Sequence, residues 1–163
     1  MRKSCKAVCY LQKIPPIDID VLSIHGMQVQ SKSRNEQGKK LLSILIVDDE
    51  PDILKIFKKS IEMSGHSSYG FVNPSAALEH FRQNPKAYDV IISDIRMPKL
   101  SGFELVREIR NLNGNVRIVL MTSFEISMKE FQKVMPSLKI DALVEKPTSL
   151  AKLREIIELP TGK

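Results

Sequence analysis

Five residues carry side chains suited to moving a charged group, and each stands where an aliphatic run stops. Asp48 and Asp49 follow the run 43–47, Asp94 follows 89–93, Thr122 follows 116–121, and Lys146 follows 140–145. Carboxylates gathered in one place repel one another, which raises their pKa values or loosens the site unless a cation sits among them. An all-oxygen set of this kind suits a hard ion, and Mg2+ binds through one or two carboxylates while keeping waters and phosphate oxygens. Phosphoryl transfer to a carboxylate needs neutralised equatorial oxygens and in-line positioning, which a metal, an ammonium and a hydroxyl donor supply together. Mg2+, Lys146 and Thr122 are the matching groups. Singly, each residue has an ordinary explanation, because Asp caps helices and Thr and Lys populate surfaces. That explanation weakens when four run-ends conform at once.

Such residues meet only if the runs are strands of one parallel sheet. The span 43–47 is apolar after its first residue, as in a strand covered on both faces, and gives β1. Residues 50–64 carry Ile53, Leu54, Phe57 and Ile61 at helical spacing, with Pro51 in the first turn and Gly65 past the end, and give α1. A weaker, edge-like strand β2 covers 67–72, and α2 starts at Asn73-Pro74, runs over Ala77, Leu78 and Phe81, and stops before Pro85. Residues 89–93 give β3. Ser101 and Glu104 have capping-box spacing and open α3, whose apolar face is Leu105, Val106, Ile109 and Leu112. Then follow β4 at 116–121, α4 at 125–135 closed by Pro136, β5 at 140–145 and α5 at 149–158. Strict alternation of five strands and five helices predicts an α/β doubly wound, flavodoxin-like parallel sheet of order 2-1-3-4-5, with helices on both faces. The 2-1-3-4-5 order is the known one for this class of fold rather than something spacing dictates. In it, ligands bind beyond the carboxyl ends of the strands, where the order reverses between β1 and β3.

The 163-residue chain has room for one ordinary domain, so an output domain is expected on another chain. Hydrophobic residues make up 42% and charged residues 27%, the balance of a globular protein. No apolar run reaches the roughly 18 residues of a membrane span, and Gln12, Lys13, Pro15 and Pro16 interrupt any signal-like segment. A cytoplasmic protein is expected. The charge of +6 is uneven: residues 1–42 hold 8 basic and 3 acidic residues, whereas 43–163 hold 17 and 16. The basic stretch is read as a flexible extension and linker, 43–159 as the domain, and 160–163 as a tail. A solvated linker is preferred to a nucleic-acid or membrane-binding arm, and direct DNA binding is not expected. Met27 is a candidate natural start. Alternation over 17–21 is too short and isolated for a stable strand. Cys5 and Cys9 are read as unpaired thiols, and His25, His66 and His80, lacking metal-ligand spacing, as surface residues.

Read together, Val47-Asp48-Asp49-Glu50, Ser93-Asp94-Ile95-Arg96-Met97-Pro98 followed by Gly102, Met121-Thr122, and Glu145-Lys146-Pro147 resemble the ordered motifs of response-regulator receiver domains, over about residues 43–159. Each motif is weak alone; four in order and in strand context are strong. The resemblance implies that Asp94 is phosphorylated and that Asp48 and Asp49 lie at the metal. Asp49, Asp94 and the Arg96 carbonyl would be direct Mg2+ ligands, with Thr122 binding the phosphoryl group and Lys146 pairing with it. It also implies a cis Lys146-Pro147 peptide, a histidine kinase or phosphotransfer protein as donor, and an output partner binding the α4-β5-α5 surface. The domain would assist its own phosphorylation and dephosphorylation without being a turnover enzyme.

Two positions depart from that pattern. The switch position, usually Tyr or Phe, is Leu143, which weakens the expected Thr122-aromatic coupling, and Thr148 stands where an apolar residue is common. Arg96 and Phe124 occupy the two variable positions flanking Asp94, where a bulky pair could shield an acyl phosphate from water. Competing readings fare worse. An aspartyl phosphatase of the haloacid-dehalogenase type would need an acid where Arg96 stands. A pseudo-receiver would lack one of the site residues, and a flavin site would need backbone donors where the acidic Asp48-Asp49-Glu50-Pro51 turn lies.

Overall fold

The structure, a computed structural model, describes residues 40–159, which lie within one compact unit, Ser31–Lys163. The readings made for residues 1–39, including Cys5, Cys9, His25 and the 17–21 alternation, and for the tail, lie outside the described residues.

The observed elements are β1 (Ser43–Val47), α1 (Pro51–Met63), β2 (Ser67–Phe71), α2 (Pro74–Gln83), β3 (Val90–Asp94), α3 (Gly102–Leu112), β4 (Arg117–Thr122), α4 (Met128–Val134), β5 (Ala142–Glu145) and α5 (Leu150–Glu158). All pairings are parallel, and the order is β2-β1-β3-β4-β5, as expected. Strand side chains alternate between faces, so the sheet carries two apolar layers. Leu45, Val47, Ile91, Ile118 and Leu120 pack with Ala77, Leu78 and Phe81 of α2, Leu105, Val106 and Ile109 of α3, and Phe131 of α4. Ile44, Ile46, Ile92, Val119 and Met121 pack with Leu54, Phe57 and Ile61 of α1 and Leu153 and Ile157 of α5. Covering both faces makes β1, β3 and β4 almost wholly buried, which is why their sequences are continuous rather than alternating.

Helix starts follow the local chemistry. Pro51 and Pro74 occupy first turns, the Asn73 side chain accepts from the Ser75 and Ala76 amides, and Ser101 and Glu104 form the expected reciprocal box. The expected α4 is too long. A second capping box, Ser127 with Glu130, starts the helix three residues later than expected, leaving Glu125 and Ile126 in the β4–α4 loop. Strand β5 also starts two residues later than expected. Asp141 ahead of it uses its carboxylate on the Ile118 amide and the Arg110 guanidinium.

Two histidines are not surface residues. His66 is buried, its Nδ1 accepting from the Leu42 amide and its Nε2 lying 3.4 Å from Glu158. His80 is half-buried, with Nε2 2.5 Å from the Tyr88 hydroxyl, inside an aromatic group that includes Tyr69 and Phe71. Neither position is visible from spacing, because the partners lie on other elements.

Candidate functional site

Asp94 and Thr122 are the last residues of their strands rather than the first beyond them, and Asp48 and Lys146 directly follow theirs. Because neighbouring strands are parallel, these four side chains share one rim. Asp48 is wholly buried. Its Oδ1 accepts from the Glu50 amide at 3.0 Å, and its Oδ2 pairs with Lys146 Nζ at 2.9 Å. The same ammonium lies 3.2 Å from Asp94 Oδ1 and 3.8 Å from Glu50 Oε1. Burial alone would lower the Lys146 ammonium, but the hydrogen bond and charge of Asp48, with the charge of Asp94, outweigh it and hold Lys146 above its ordinary value. Asp94 is pushed up by burial, with Asp48 adding to the rise and Lys146 opposing it.

The carboxylates do not form one cluster as the sequence suggested. Asp48 is committed to Lys146, whereas Asp49 lines an open groove with Arg96, Met97 and Phe124 and has no ion pair or hydrogen bond to its carboxylate among the described residues. No three acidic, His or Cys side chains stand together as a metal cage among those residues. This arrangement suits Mg2+, which takes one or two carboxylates and completes its shell from carbonyls, waters and phosphate oxygens. An unengaged Asp49, a buried Asp94 and hard oxygen donors fit that ion.

The β3–α3 loop is shaped around Asp94. The Ser93 hydroxyl donates to the Asp94 carbonyl at 2.9 Å, and the Gly102 amide donates to Ile95 O at 2.9 Å. A β-carbon on Gly102 would fall on the Asp94 carbonyl oxygen and 3.0 Å from Ile95 Cα, so only glycine lets α3 begin this close to the rim. The sequence displayed Gly102 without disclosing that contact. On the other flank, Thr122 Oγ1 accepts from the Phe124 amide at 3.0 Å, and the Arg96 guanidinium lies 4.8 Å from the Phe124 ring centroid. Lys146-Pro147 is cis. Leu143, half-buried and paired with Leu120, packs against the apolar layer that includes Phe131 of α4.

Comparison with known proteins agrees with this fold. A family model described as response regulator receiver domain matches residues 44–158. Probable transcriptional regulator ycf27 of Cyanidium caldarium is 36% identical over 91 residues, covering 56% of this chain and 35% of the relative. The chain spans about a third of the length of the curated relatives it first matches. A receiver domain protein from Clostridium thermocellum aligns with TM-score 0.65 and 28% identity over 72% of this chain and 91% of that one. The Thermotoga maritima response regulator TrrA, solved in complex with Mg2+ and BeF, aligns with TM-score 0.62 and 31% identity over 72% of this chain and 96% of that one. No helix of the described residues is long and apolar enough to cross a membrane. With its fold, its acidic rim and its sequence relatives in accord, the chain belongs to the response regulator receiver domain family of two-component signalling.

Proposed function

We propose that this receiver accepts a phosphoryl group on Asp94 from a phosphohistidine of a histidine kinase or phosphotransfer protein, and passes the signal on by a change in its α4-β5-α5 surface. The observation that carries the reading is Asp94 itself, a buried carboxylate at the end of β3, 3.2 Å from the Lys146 ammonium. In the step, an Asp94 carboxylate oxygen attacks phosphorus, the P–N bond to the donor imidazole breaks, and the electron pair returns to that nitrogen. Asp49, Asp94 and the Arg96 carbonyl would hold Mg2+, with Asp48 supporting from behind through Lys146. The bound ion supplies charge neutralisation on the phosphoryl oxygens. Lys146 moves from Asp94 to a phosphoryl oxygen, and the Thr122 hydroxyl donates to another.

Within this reading the domain spans 43–159 after a basic extension, and works in the cytoplasm without binding DNA itself. It is a phosphoacceptor that assists its own loading and unloading. The test is intact mass after incubation with a small-molecule phosphodonor and Mg2+. Wild type should gain one phosphate, and Asp94→Asn none, since the amide keeps the shape and loses the nucleophile. Equal uptake by the variant overturns the assignment. Asp49→Ala should weaken Mg2+ binding in a titration, and an unchanged curve argues against the metal site.

A further inference from the structure

Ser93 is wholly buried on β3, directly ahead of Asp94. In register it lies between Val47 of β1 and Leu120 of β4, both buried aliphatics of the layer that packs on α2 and α3, and Ile91 two residues earlier belongs to the same layer. An aliphatic side chain would fill such a position without desolvating a polar atom. A hydroxyl buried there costs free energy unless it is hydrogen-bonded. The bond it makes is to the next carbonyl, Ser93 Oγ donating to Asp94 O at 2.9 Å. Gly102 closes against that same oxygen. The peptide that follows is held by Ile95 N on Met121 O at 3.0 Å and by Gly102 N on Ile95 O at 2.9 Å. Because strand side chains alternate, the Asp94 carboxylate projects from the face opposite Ser93, 3.2 Å from Lys146 Nζ. Its direction depends on the torsion of the peptide that the Ser93 hydroxyl holds.

We propose that Ser93 is a positioning residue of the phosphoacceptor: from the face away from the rim, its hydroxyl fixes the Asp94 peptide plane and so aims the carboxylate at the incoming phosphorus. The inference deepens the phosphoacceptor reading and rests on it. Ser93 acts through the backbone, so it governs alignment and leaves the charge of the rim untouched. Misplacing an attacking atom by on the order of 1 Å slows a step about a hundredfold, and the smaller drift that one lost hydrogen bond permits is expected to slow it about tenfold.

Two pairs of full-length proteins test it, wild type against Ser93→Ala and Ser93→Thr against Ser93→Val. Each pair differs at one hydroxyl, and the members of the second share whatever overpacking the added methyl brings. Phosphate uptake from a small-molecule phosphodonor with Mg2+ is timed by intact mass, and within each pair the hydroxyl-bearing protein should load about tenfold faster. Urea denaturation establishes which proteins are folded at the start of the assay. A hydroxyl that only helped the fold would leave folded proteins loading alike, so equal rates within a folded pair overturn the proposal. Should the added methyl unfold both Thr and Val variants, the alanine pair decides alone. The carbonyl carbon of Asp94, followed by NMR without phosphodonor or metal, gives a second readout. It should move upfield in Ser93→Ala and Ser93→Val and stay near its wild-type position in Ser93→Thr; a carbonyl that moves in none of them also overturns the proposal. A wild type that takes no phosphate refutes the phosphoacceptor reading and this role with it, whereas a wild type that loads no faster than Ser93→Ala refutes the positioning role alone.

Discussion

Gly102 abuts the carbonyl oxygen of Asp94 so closely that no β-carbon fits between them. The obstacle is backbone, with no flexible side chain to yield, so Gly102→Ala must push α3 away from the rim or twist the loop that begins at Ile95. Overpacking of this sort costs about 1–3 kcal/mol, and backbone obstruction belongs at the upper end. Gly114 is the internal control, since a β-carbon there meets nothing within 4 Å. Urea denaturation should show Gly102→Ala destabilised and Gly114→Ala unchanged or slightly stabilised, the latter by reducing unfolded-state entropy. Equal stability of the two variants would show that the loop absorbs the extra methyl.

A second expectation concerns the ammonium between two acids. Asp48 is wholly buried, and besides the Glu50 amide its compensation is Lys146. Removing one member of a buried pair leaves the other uncompensated, at about 3–5 kcal/mol when both are deeply buried. Lys146 keeps 15% of its side chain exposed, so about 2–3 kcal/mol is expected for Lys146→Met. Adding Asp48→Asn should recover part of that loss, because the amide carries no charge to strand. A double-mutant cycle in urea measures the coupling, and strict additivity would show that the pair contributes little to stability.

The fold was legible where chemistry is local. Continuous apolar runs announced strands covered on both faces, Pro51, Asn73 and Ser101 announced helix starts, and parallel order then placed Asp48, Asp94, Thr122 and Lys146 on one rim. The start of α4 was also written locally, as Ser127 and Glu130, yet the sequence reading began the helix at residue 125, ahead of its true cap. Long-range contacts were hidden. Nothing near His66 foretells that Leu42 and Glu158 will enclose it, and nothing near Arg117 foretells a buried guanidinium donating to the Ile157 and Leu159 carbonyls. The division of labour between Asp48 and Asp49 was hidden too, because adjacent residues diverge and only the position of Lys146 shows which of them is already paired.

His80 supplies a pH-dependent expectation. Burial lowers its pKa below the ordinary 6.5, so between the two values the unfolded chain holds a proton that the folded one does not. Stability is therefore complete above about pH 6.5 and falls as pH drops through the folded value. The Tyr88 hydroxyl, its pKa pushed up by burial, lies 2.5 Å from His80 Nε2, within hydrogen-bond distance of the neutral imidazole. Tyr88→Phe should keep the ring packing and lose about 1 kcal/mol at neutral pH. Imidazole proton NMR should find His80 titrating below the unfolded histidine, and titration at or above it would contradict the burial argument.

The last expectation is about output, where Leu143 replaces the usual aromatic. Leu143 is half-buried on β5 beside Leu120, one strand-end away from Lys146, whose amide donates to Thr122 O. Thr122 Oγ1 accepts from the Phe124 amide, so in the proposed role, where its hydroxyl engages a phosphoryl group, any turn of that side chain is felt by the β4–α4 loop. An aliphatic neighbour has no hydroxyl to expose and less volume to carry into the space vacated. Coupling between Asp94 and the α4-β5-α5 surface is thus expected at or below the typical range of about 1–3 kcal/mol. Leu143→Tyr restores ring and hydroxyl and should enlarge the response. Amide shifts recorded with Mg2+ and beryllofluoride should be small over residues 128–158 in wild type and larger in the variant. If wild-type shifts stop at the Asp94 loop and Leu143→Tyr does not extend them, signal transfer through α4-β5-α5 is excluded, leaving recognition of the phosphorylated rim itself.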